Sequence, residues 1–164
     1  MMLGKSPDQN QLNLFHPVLK QIIDPSHGLV LLAGKFPWEE LEEEFSVYYS
    51  EIGAPAKPVR LMVGLLVLKQ ISGYSDERLL REWIENPYYQ YFCGEVDFSW
   101  LKPCSVSELA HFRKRIGEKG LEQIFNTCKE LQEKTSLLKR IYHWLKPGKR
   151  RSPDERERLN SIIC

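Results

Sequence analysis

Hydrophobic positions are densest between residues 59 and 71, where the sequence VRLMVGLLVLKQI places apolar side chains on nearly every side of a helix. A helix that is apolar all round belongs inside a core. Pro58 suits the first helical position, and Gly73 allows the backbone turn that follows. The pattern therefore predicts a buried helix over residues 59–71, around which the rest of the chain is organised.

A second helix is predicted directly after this one, over residues 76–85. Ser75 can cap it, and two acidic residues in its first turn suit the positive end of the helix dipole. Its inward positions repeat with helical spacing and are Leu79, Leu80, Trp83 and Ile84. Asn86 and Pro87 end this helix, and a short aromatic helix over residues 88–92 is then stopped by Gly94.

Two interpretations of this pair of helices stay open. Two helices joined by a short turn with a glycine are the outline of a DNA-reading helix-turn-helix, whose second helix enters the major groove. They are also the outline of an ordinary antiparallel hairpin. The outward residues of the second helix are of mixed charge with an acidic excess: Glu77, Arg78, Arg81, Glu82 and Glu85. Phosphates would repel an acidic face, which favours the hairpin.

Helical spacing continues in the segment before residue 58. It predicts helices over residues 8–23, with a start or kink at Pro17, over residues 29–33, and from Pro37 onwards. The last of these carries an acidic run, interpreted as a solvated helix face: Glu39, Glu40, Glu42, Glu43 and Glu44. Residues 53–57 are predicted to be a linker.

The second half of the chain contains a strong helix start at Ser105 and Glu108, which form a capping box. The helix behind it, over residues 106–116, is predicted to bury Leu109, Phe112 and Ile116. Residues 117–120 are predicted to turn into a last helix over residues 121–145, and the loop 95–103 to lay Phe98 and Trp100 over the core.

No stretch alternates as a strand does. We therefore predict an all-α, compact multi-helix domain over residues 1–146, with a helix-turn-helix-like hairpin, followed by a basic, disordered tail over residues 147–164.

Charge is distributed unevenly in a chain whose net charge is only +1. Residues 1–100 hold 8 Lys and Arg against 14 Asp and Glu, whereas residues 101–164 hold 15 against 8. A basic surface on the C-terminal part is suited to a polyanion such as nucleic acid.

Composition and cysteine usage indicate an ordinary cytoplasmic protein. With 42% hydrophobic and 27% charged residues the chain is typical of globular proteins. Its four cysteines form no C-x-x-C pair and are predicted to be reduced thiols. The N-terminus lacks the apolar core of a signal peptide, and no apolar run approaches the roughly 20 residues that cross a bilayer. We expect no membrane partner.

The sequence contains no recognisable active-site motif. Glu108 and His111 form a single Glu-x-x-His, whereas ferritin-like metal bundles need two such pairs and further carboxylates. His16, His27 and His143 are isolated and suggest no ligand or base arrangement. Phosphate-binding glycine loops, G-x-S-x-G and H-E-x-x-H are missing. The sequence thus suggests no metal, no cofactor and no enzyme.

Basic clusters are the stronger candidates for function. Arg113, Lys114 and Arg115 are consecutive on a predicted helix, where three residues fan over about 200°, so at least one must face water. Lys102 before them and Lys119 after them would extend a phosphate-binding stripe, with a merely solvated helix face as the alternative. In the tail, Lys149, Arg150 and Arg151 would add affinity but no sequence reading.

Several separate stretches resemble, in order and spacing, the N-terminal domain of bacterial insertion-sequence transposases of the DDE superfamily. These stretches are GKSPDQNQLNLFHPVLKQIID, EELEEEFSVYYSEIGAPAKP, PVRLMVGLLVLKQ, SDERLLREWIENPYYQYFCG and HFRKRIGEKGLEQIF. The resemblance covers about Gly4 to Phe125. It implies a helical domain that precedes a ribonuclease-H-like catalytic domain and recognises the terminal inverted repeats of the element in double-stranded DNA.

The resemblance also implies which residues contact DNA. They are His111, Arg113, Lys114 and Arg115, with Arg60 and Lys69 as secondary candidates. The family continues with an apolar strand that carries the first catalytic aspartate, whereas this chain continues into residues 126–145 and a basic tail. We therefore expect a truncated, frameshifted or split transposase that lacks its own catalytic core.

Other functions remain open alongside DNA binding. One is a protein-interaction module that dimerises with itself or with an intact transposase through exposed anchors, namely Trp38, Tyr88, Tyr89 and Trp100. Another is an inert remnant of a transposase gene, which would fold poorly. An active phosphotransferase fits least, because two-metal strand transfer needs several carboxylates on a rigid core.

Overall fold

The computed structural model describes residues 2–4, 17–48 and 55–134. In chain order the elements are β1 (Met2–Gly4), α1 (Leu19–Ile22), α2 (Gly28–Lys35), α3 (Trp38–Ser46), β2 (Pro55–Pro58), α4 (Val59–Ser72), α5 (Asp76–Glu85), α6 (Pro87–Phe92) and α7 (Val106–Lys134). The predicted all-α architecture is confirmed.

Helix α4 lies at the centre of the domain, as its pattern predicts. Every side chain from Leu61 to Leu68 is buried, and α3, α5 and α7 all pack against it. Gly73 ends the helix in the left-handed conformation, with φ of 70°, and its N–H donates to the Lys69 carbonyl oxygen at 2.8 Å. Because this conformation suits glycine, the chain can turn at once into α5.

The two helices that follow begin at side-chain caps. Ser75 Oγ accepts a hydrogen bond from the Arg78 N–H at 3.3 Å, and α5 buries Leu79, Leu80 and Trp83. Asn86 Oδ1 accepts from two N–H groups of α6, and Pro87 occupies the first turn, where its missing N–H costs nothing. Both boundaries agree with those expected from the sequence.

Gln90 is fully buried and joins α5, α6 and the loop before α7. Its Nε2 donates to the carbonyl oxygens of Trp83 and Ile84 at the end of α5, and to that of Ser99 at 2.8 Å. Its Oε1 accepts from the Ser99 N–H at 2.8 Å. The Gln90 amide therefore provides hydrogen-bond partners for the free carbonyl groups at the end of α5 and for the backbone of Ser99. These bonds fix the course of the chain into α7.

Helix α7 bends at Gly117, which has φ of 64° and ψ of −169°. Only glycine adopts this conformation readily. The expected break is thus present, but the expected four-residue turn over 117–120 is wrong, because the helix resumes immediately after Gly117. Gly120 lies within the helix, where an added Cβ would be 3.2 Å from a ring carbon of Phe45 in α3.

The segment before α2 is partly helical. Pro17 precedes α1, and Val18 forms a bridge with Asp97. Much of the helix predicted over residues 8–23 lies outside the described residues. Helix α2 forms as expected, and His27 Nδ1 caps it by accepting from the Leu29 N–H at 3.2 Å.

One short parallel strand pair departs from the prediction of no strands. Met2 lies opposite Pro55 and Gly4 opposite Pro58, so part of the predicted linker forms β2. A backbone pairing of three or four residues leaves no alternating side-chain pattern, and its partner is about fifty residues away in sequence. The two strands hold the start of the described chain against the entry to α4.

The helices of the described residues include none that combines the length and apolar character needed to cross a membrane. Cys93, Cys104 and Cys128 are free thiols, as predicted, whereas Cys164 lies outside the described residues. Burial raises the pKa of the Cys104 and Cys128 thiols to about 11, which keeps them protonated and unreactive at neutral pH.

Candidate nucleic-acid interface

Three helices meet at the carboxylate of Asp76, the first residue of α5. The Arg113 guanidinium of α7 donates two bonds to it, Nη1 to Oδ1 at 3.0 Å and Nη2 to Oδ2 at 2.6 Å. Lys69 Nζ, from the last turn of α4, donates to Oδ1 at 2.5 Å. A bidentate guanidinium bond fixes angle as well as distance, so this cluster sets the orientation of α7 against the α4–α5 hairpin.

The Asp76 side chain is largely withdrawn from water, with 11% of it exposed, whereas Arg113 is 28% and Lys69 35% exposed. The Arg113 hydrogen bonds hold the pKa of the Asp76 carboxyl below its ordinary value; burial opposes this, and Lys69 adds to it. The hydrogen bonds with Asp76 also raise the pKa of the Arg113 guanidinium. Arg113 and Lys69 therefore act first as positioning groups, and only part of their charge reaches solvent.

Lys102, Lys114 and Lys119 are exposed, as is His111 on α7. His111 and Lys114 are three residues apart, which places them on one face of the helix, opposite its buried side chains. Arg115 is half-buried. The structure thus separates the consecutive cations, as the helical fan requires: Arg113 turns towards α5 and Lys114 towards water.

Arg60 lies apart from these groups, in the first turn of α4. Its guanidinium is 4.8 Å from the centre of the Trp38 ring, and it donates at 3.5 Å to the carbonyl oxygens of Tyr91 and Phe92. Burial lowers its pKa. These bonds provide hydrogen-bond donors for two carbonyl groups at the end of α6, so Arg60 helps to pack α4 against α6.

The tail candidates Lys149, Arg150 and Arg151 lie outside the described residues. Of the ten residues predicted to contact DNA, the structure brings Lys69 and Arg113 together at Asp76 and exposes His111, Lys114 and Lys102. None of these assignments is tested by the structure alone, and they stay predictions.

On the outer face of α5, Arg78 contacts two neighbouring side chains. The Arg78 guanidinium lies 4.1 Å from the centre of the Tyr74 ring, and its Nε is 3.5 Å from Oε1 of Glu82. Glu77, Arg81 and Glu85 are exposed. This face carries the acidic excess that the sequence indicates.

The Glu-x-x-His pair is part of a helix cap. Glu108 Oε2 accepts from the Ser105 N–H at 2.7 Å, and Ser105 Oγ accepts from the Glu108 N–H at 3.1 Å, which confirms the predicted capping box. These bonds lower the pKa of Glu108. Across the described residues, no group of three or more acidic, histidine or cysteine side chains could hold a metal ion.

The other described histidine, His27, stacks on Tyr88 with ring centres 3.8 Å apart. Burial lowers its pKa, which the nearby Asp24 partly offsets. The neutral ring is the form that can accept the Leu29 N–H, so His27 serves as a cap. His16 and His143 lie outside the described residues.

Two of the four aromatic anchors proposed for protein interaction are not available. Trp38 and Tyr89 are buried, and Trp38 Nε1 donates to the Ala33 carbonyl oxygen at 2.9 Å. Tyr88 is half-buried against His27. Trp100 is 59% exposed and packs edge-on against Phe98 instead of lying over the core, and Leu101 beside it is 77% exposed.

Sequence reasoning missed Asp76 as the partner of Arg113, since the two are 37 residues apart. It also missed Ser107 as part of the exposed face of α7. That second signal was present: Ser107, His111 and Lys114 lie opposite the buried Leu109, Phe112 and Ile116 on a helical wheel.

The chain is similar to a known protein family and to a curated relative. The family model described as Transposase domain (DUF772) matches residues 17–115, more than half of the chain. "Uncharacterized protein ORF8 in nfe locus" from Rhizobium meliloti is 41% identical over 129 residues, which are 79% of this chain and 62% of that protein. The chain therefore spans less than two thirds of this relative. No solved structure matches. The matched range runs from α1 to the basic turn of α7, and on this match the chain belongs to the DUF772 transposase-domain family.

Proposed function

We propose that this chain is the DNA-binding domain of an insertion-sequence transposase and that it recognises the terminal inverted repeats of its element. The observation that carries the proposal is the family match over residues 17–115, which spans the α4, α5 and basic α7 arrangement. Double-stranded DNA is the partner, and the domain needs no cofactor for this role.

The charge distribution supports this function. Lys102 and Lys114 are exposed, and the C-terminal 64 residues carry the excess of basic residues. Cations that neutralise phosphates release condensed counterions, which gives an affinity that falls steeply with salt. Lys149, Arg150 and Arg151 would add to the affinity without reading sequence.

In this proposal the chain binds DNA and does not itself catalyse strand transfer. Two-metal strand transfer requires several carboxylates held on one rigid core. Metal-dependent cutting of element-end DNA by the purified chain would contradict this assignment.

Fluorescence anisotropy with duplexes of the terminal inverted repeat and of a shuffled sequence tests the function, at several salt concentrations. We expect tighter binding to the repeat, and an affinity that falls with salt. Lys102→Ala should weaken binding to both duplexes and reduce the salt slope by about 1, as for the loss of one phosphate contact.

Lys35→Ala provides a matched control, because Lys35 is also exposed and lies on α2. It should leave the affinity within about twofold, since it removes the same charge from a different part of the domain. Equal or absent binding to the two duplexes would contradict recognition of the repeat.

A second function is favoured by the exposure of Trp100 and Leu101 in the loop before α7. Large apolar side chains in water are typical anchors of protein interfaces. In this case the domain would pair with another transposase chain. Sedimentation of the unaltered chain and of Trp100→Ala would show a dimer that the substitution dissociates, whereas a monomer at all concentrations would argue against self-pairing.

A further inference from the structure

We propose that the first half of α7, up to Gly117, is the element that enters the major groove, and that α5 is not. This inference rests on the proposed function. It assigns base reading to one exposed face, which we name the α7 stripe: Ser107, His111 and Lys114. The occupant of this face is duplex DNA.

The α7 stripe has the shape and chemistry of a reading face. Its members lie at positions i, i+4 and i+7, so they form one line along the helix. Ser107 is small, which allows close approach near the start of the helix, and the exposed Ala110 beside it adds little bulk. Serine, imidazole and ammonium groups can all donate to the acceptors on guanine or adenine edges.

The carboxylate nearest the start of the stripe is engaged in the cap of α7. Glu108 is engaged with the Ser105 N–H at 2.7 Å, across the end of the helix. Lys102, in the loop just before, is exposed and can contact the DNA backbone. The side chains of the α7 stripe are therefore available to contact bases, and Lys102 is available to contact phosphate.

The helix that carries the stripe is held rigidly from behind. Leu109, Phe112 and Ile116 are buried in the core, and Arg113 is bound twice by Asp76 of α5. About 16 Å of helix precedes Gly117, and a helix of about 10–12 Å diameter fits a groove about 12 Å wide. A face supported in this way can keep its register on bases.

Helix α5 is less suited to the groove, although it follows the turn of the hairpin. Glu77 and Glu85 project into water, and Arg78 is already held between Tyr74 and Glu82. An outer face with more carboxylates than guanidinium groups is repelled by the phosphates that line both edges of the groove.

Three single substitutions distinguish the two helices. A pool of duplexes with a randomised central segment is enriched on the unaltered chain, and the selected duplex is compared with its shuffled form. His111→Ala and Lys114→Ala should each lower the ratio of the two affinities by about 5- to 160-fold, the range for a lost base contact. Arg81→Ala, the matched change on α5, should change it by less than about threefold.

Methylation of guanine N7 provides an independent readout, because N7 lies in the major groove. The unaltered chain should protect particular guanines of the selected duplex, and His111→Ala or Lys114→Ala should lose protection at one position each. Circular dichroism should match that of the unaltered chain, since both side chains are exposed.

The outcomes separate this inference from the proposed function. If the unaltered chain selects a duplex but Arg81→Ala abolishes the preference while the α7 variants retain it, α5 reads the groove and the inference fails alone. If the unaltered chain shows no salt-dependent DNA binding, the proposed function fails, and the inference with it.

Discussion

Gly64 shows at the scale of a single residue how a close contact can outweigh helix propensity. It lies in the middle of α4, where glycine is an unfavourable helix residue. A Cβ at this position would lie 2.9 Å from Cys93 Sγ and 3.2 Å from Cys93 Cα, so α4 and the end of α6 can approach only because Gly64 has no side chain.

Gly64→Ala should therefore destabilise the protein by about 1–3 kcal/mol, because the overpacking exceeds the gain in helix propensity. Gly34→Ala is the matched control: Gly34 lies in α2 with no atom within 4 Å of the added Cβ, and the change should stabilise by up to about 1 kcal/mol. Chemical denaturation measures both. A stabilising Gly64→Ala would show that the contact does not limit packing.

At the scale of elements, the Asp76 cluster joins α4, α5 and α7 through one carboxylate. The folded-state pKa of Asp76 is lowered from 3.8, chiefly by Arg113. The stabilisation it provides is fully present above the unfolded-state pKa and is lost as the pH falls through the lower folded-state pKa, because the carboxyl then binds a proton and no longer pairs.

Asp76→Asn should lower the free energy of unfolding at neutral pH by about 1–3 kcal/mol, since it leaves two cations without their carboxylate. The difference from the unaltered chain should shrink as the pH falls below 3.8. Urea unfolding at a series of pH values measures it.

Glu77→Gln is the control for the Asp76 substitution, because Glu77 is an exposed carboxylate in the same turn of α5. It should change stability by less than about 0.5 kcal/mol. An Asp76→Asn effect as small as this would mean that apolar packing alone orients α7. The cluster also means that an Arg113 substitution would alter the fold as well as any DNA contact.

Sequence reasoning predicted the helices around this cluster well. Caps at Ser75, Asn86 and Ser105 act within three residues, and the apolar spacing of α5 is local, so both can be read directly from the chain. The ion pair joins residues 37 positions apart, and nothing in either local sequence specifies its partner.

At the scale of the whole molecule, α4 is the element on which the others depend. It contacts β2, α3, α5 and α7, and its middle turns are buried on all sides. The amides of residues 62–68 can therefore exchange with solvent only when the surrounding helices are displaced.

Hydrogen exchange should be slowest in α4 and should occur there by global unfolding. The amides of α1, a helix of 4 residues, should exchange faster through local opening. Leu65→Ala, at a fully buried position, should weaken protection in α4 and α7 together, by about 2–5 kcal/mol. Protection lost in α4 alone would show that the domain does not unfold as one unit.

The linear sequence was enough to specify the helical class, the buried central helix, the capped starts of α5 and α7 and the concentration of positive charge after residue 100. These depend on composition and on contacts within a few residues along the chain. The resemblance of several ordered motifs to transposases was likewise a property of the sequence, and the family match confirms a transposase-related chain.

Which of these residues are available for binding depends on how the helices pack. This packing placed Arg60 under Trp38, bound Arg113 to Asp76, buried Trp38 and Tyr89, and paired β1 with β2. Each outcome depends on groups that are distant in sequence and meet only when the core packs, so a periodicity that spans one or two turns carries no information about them.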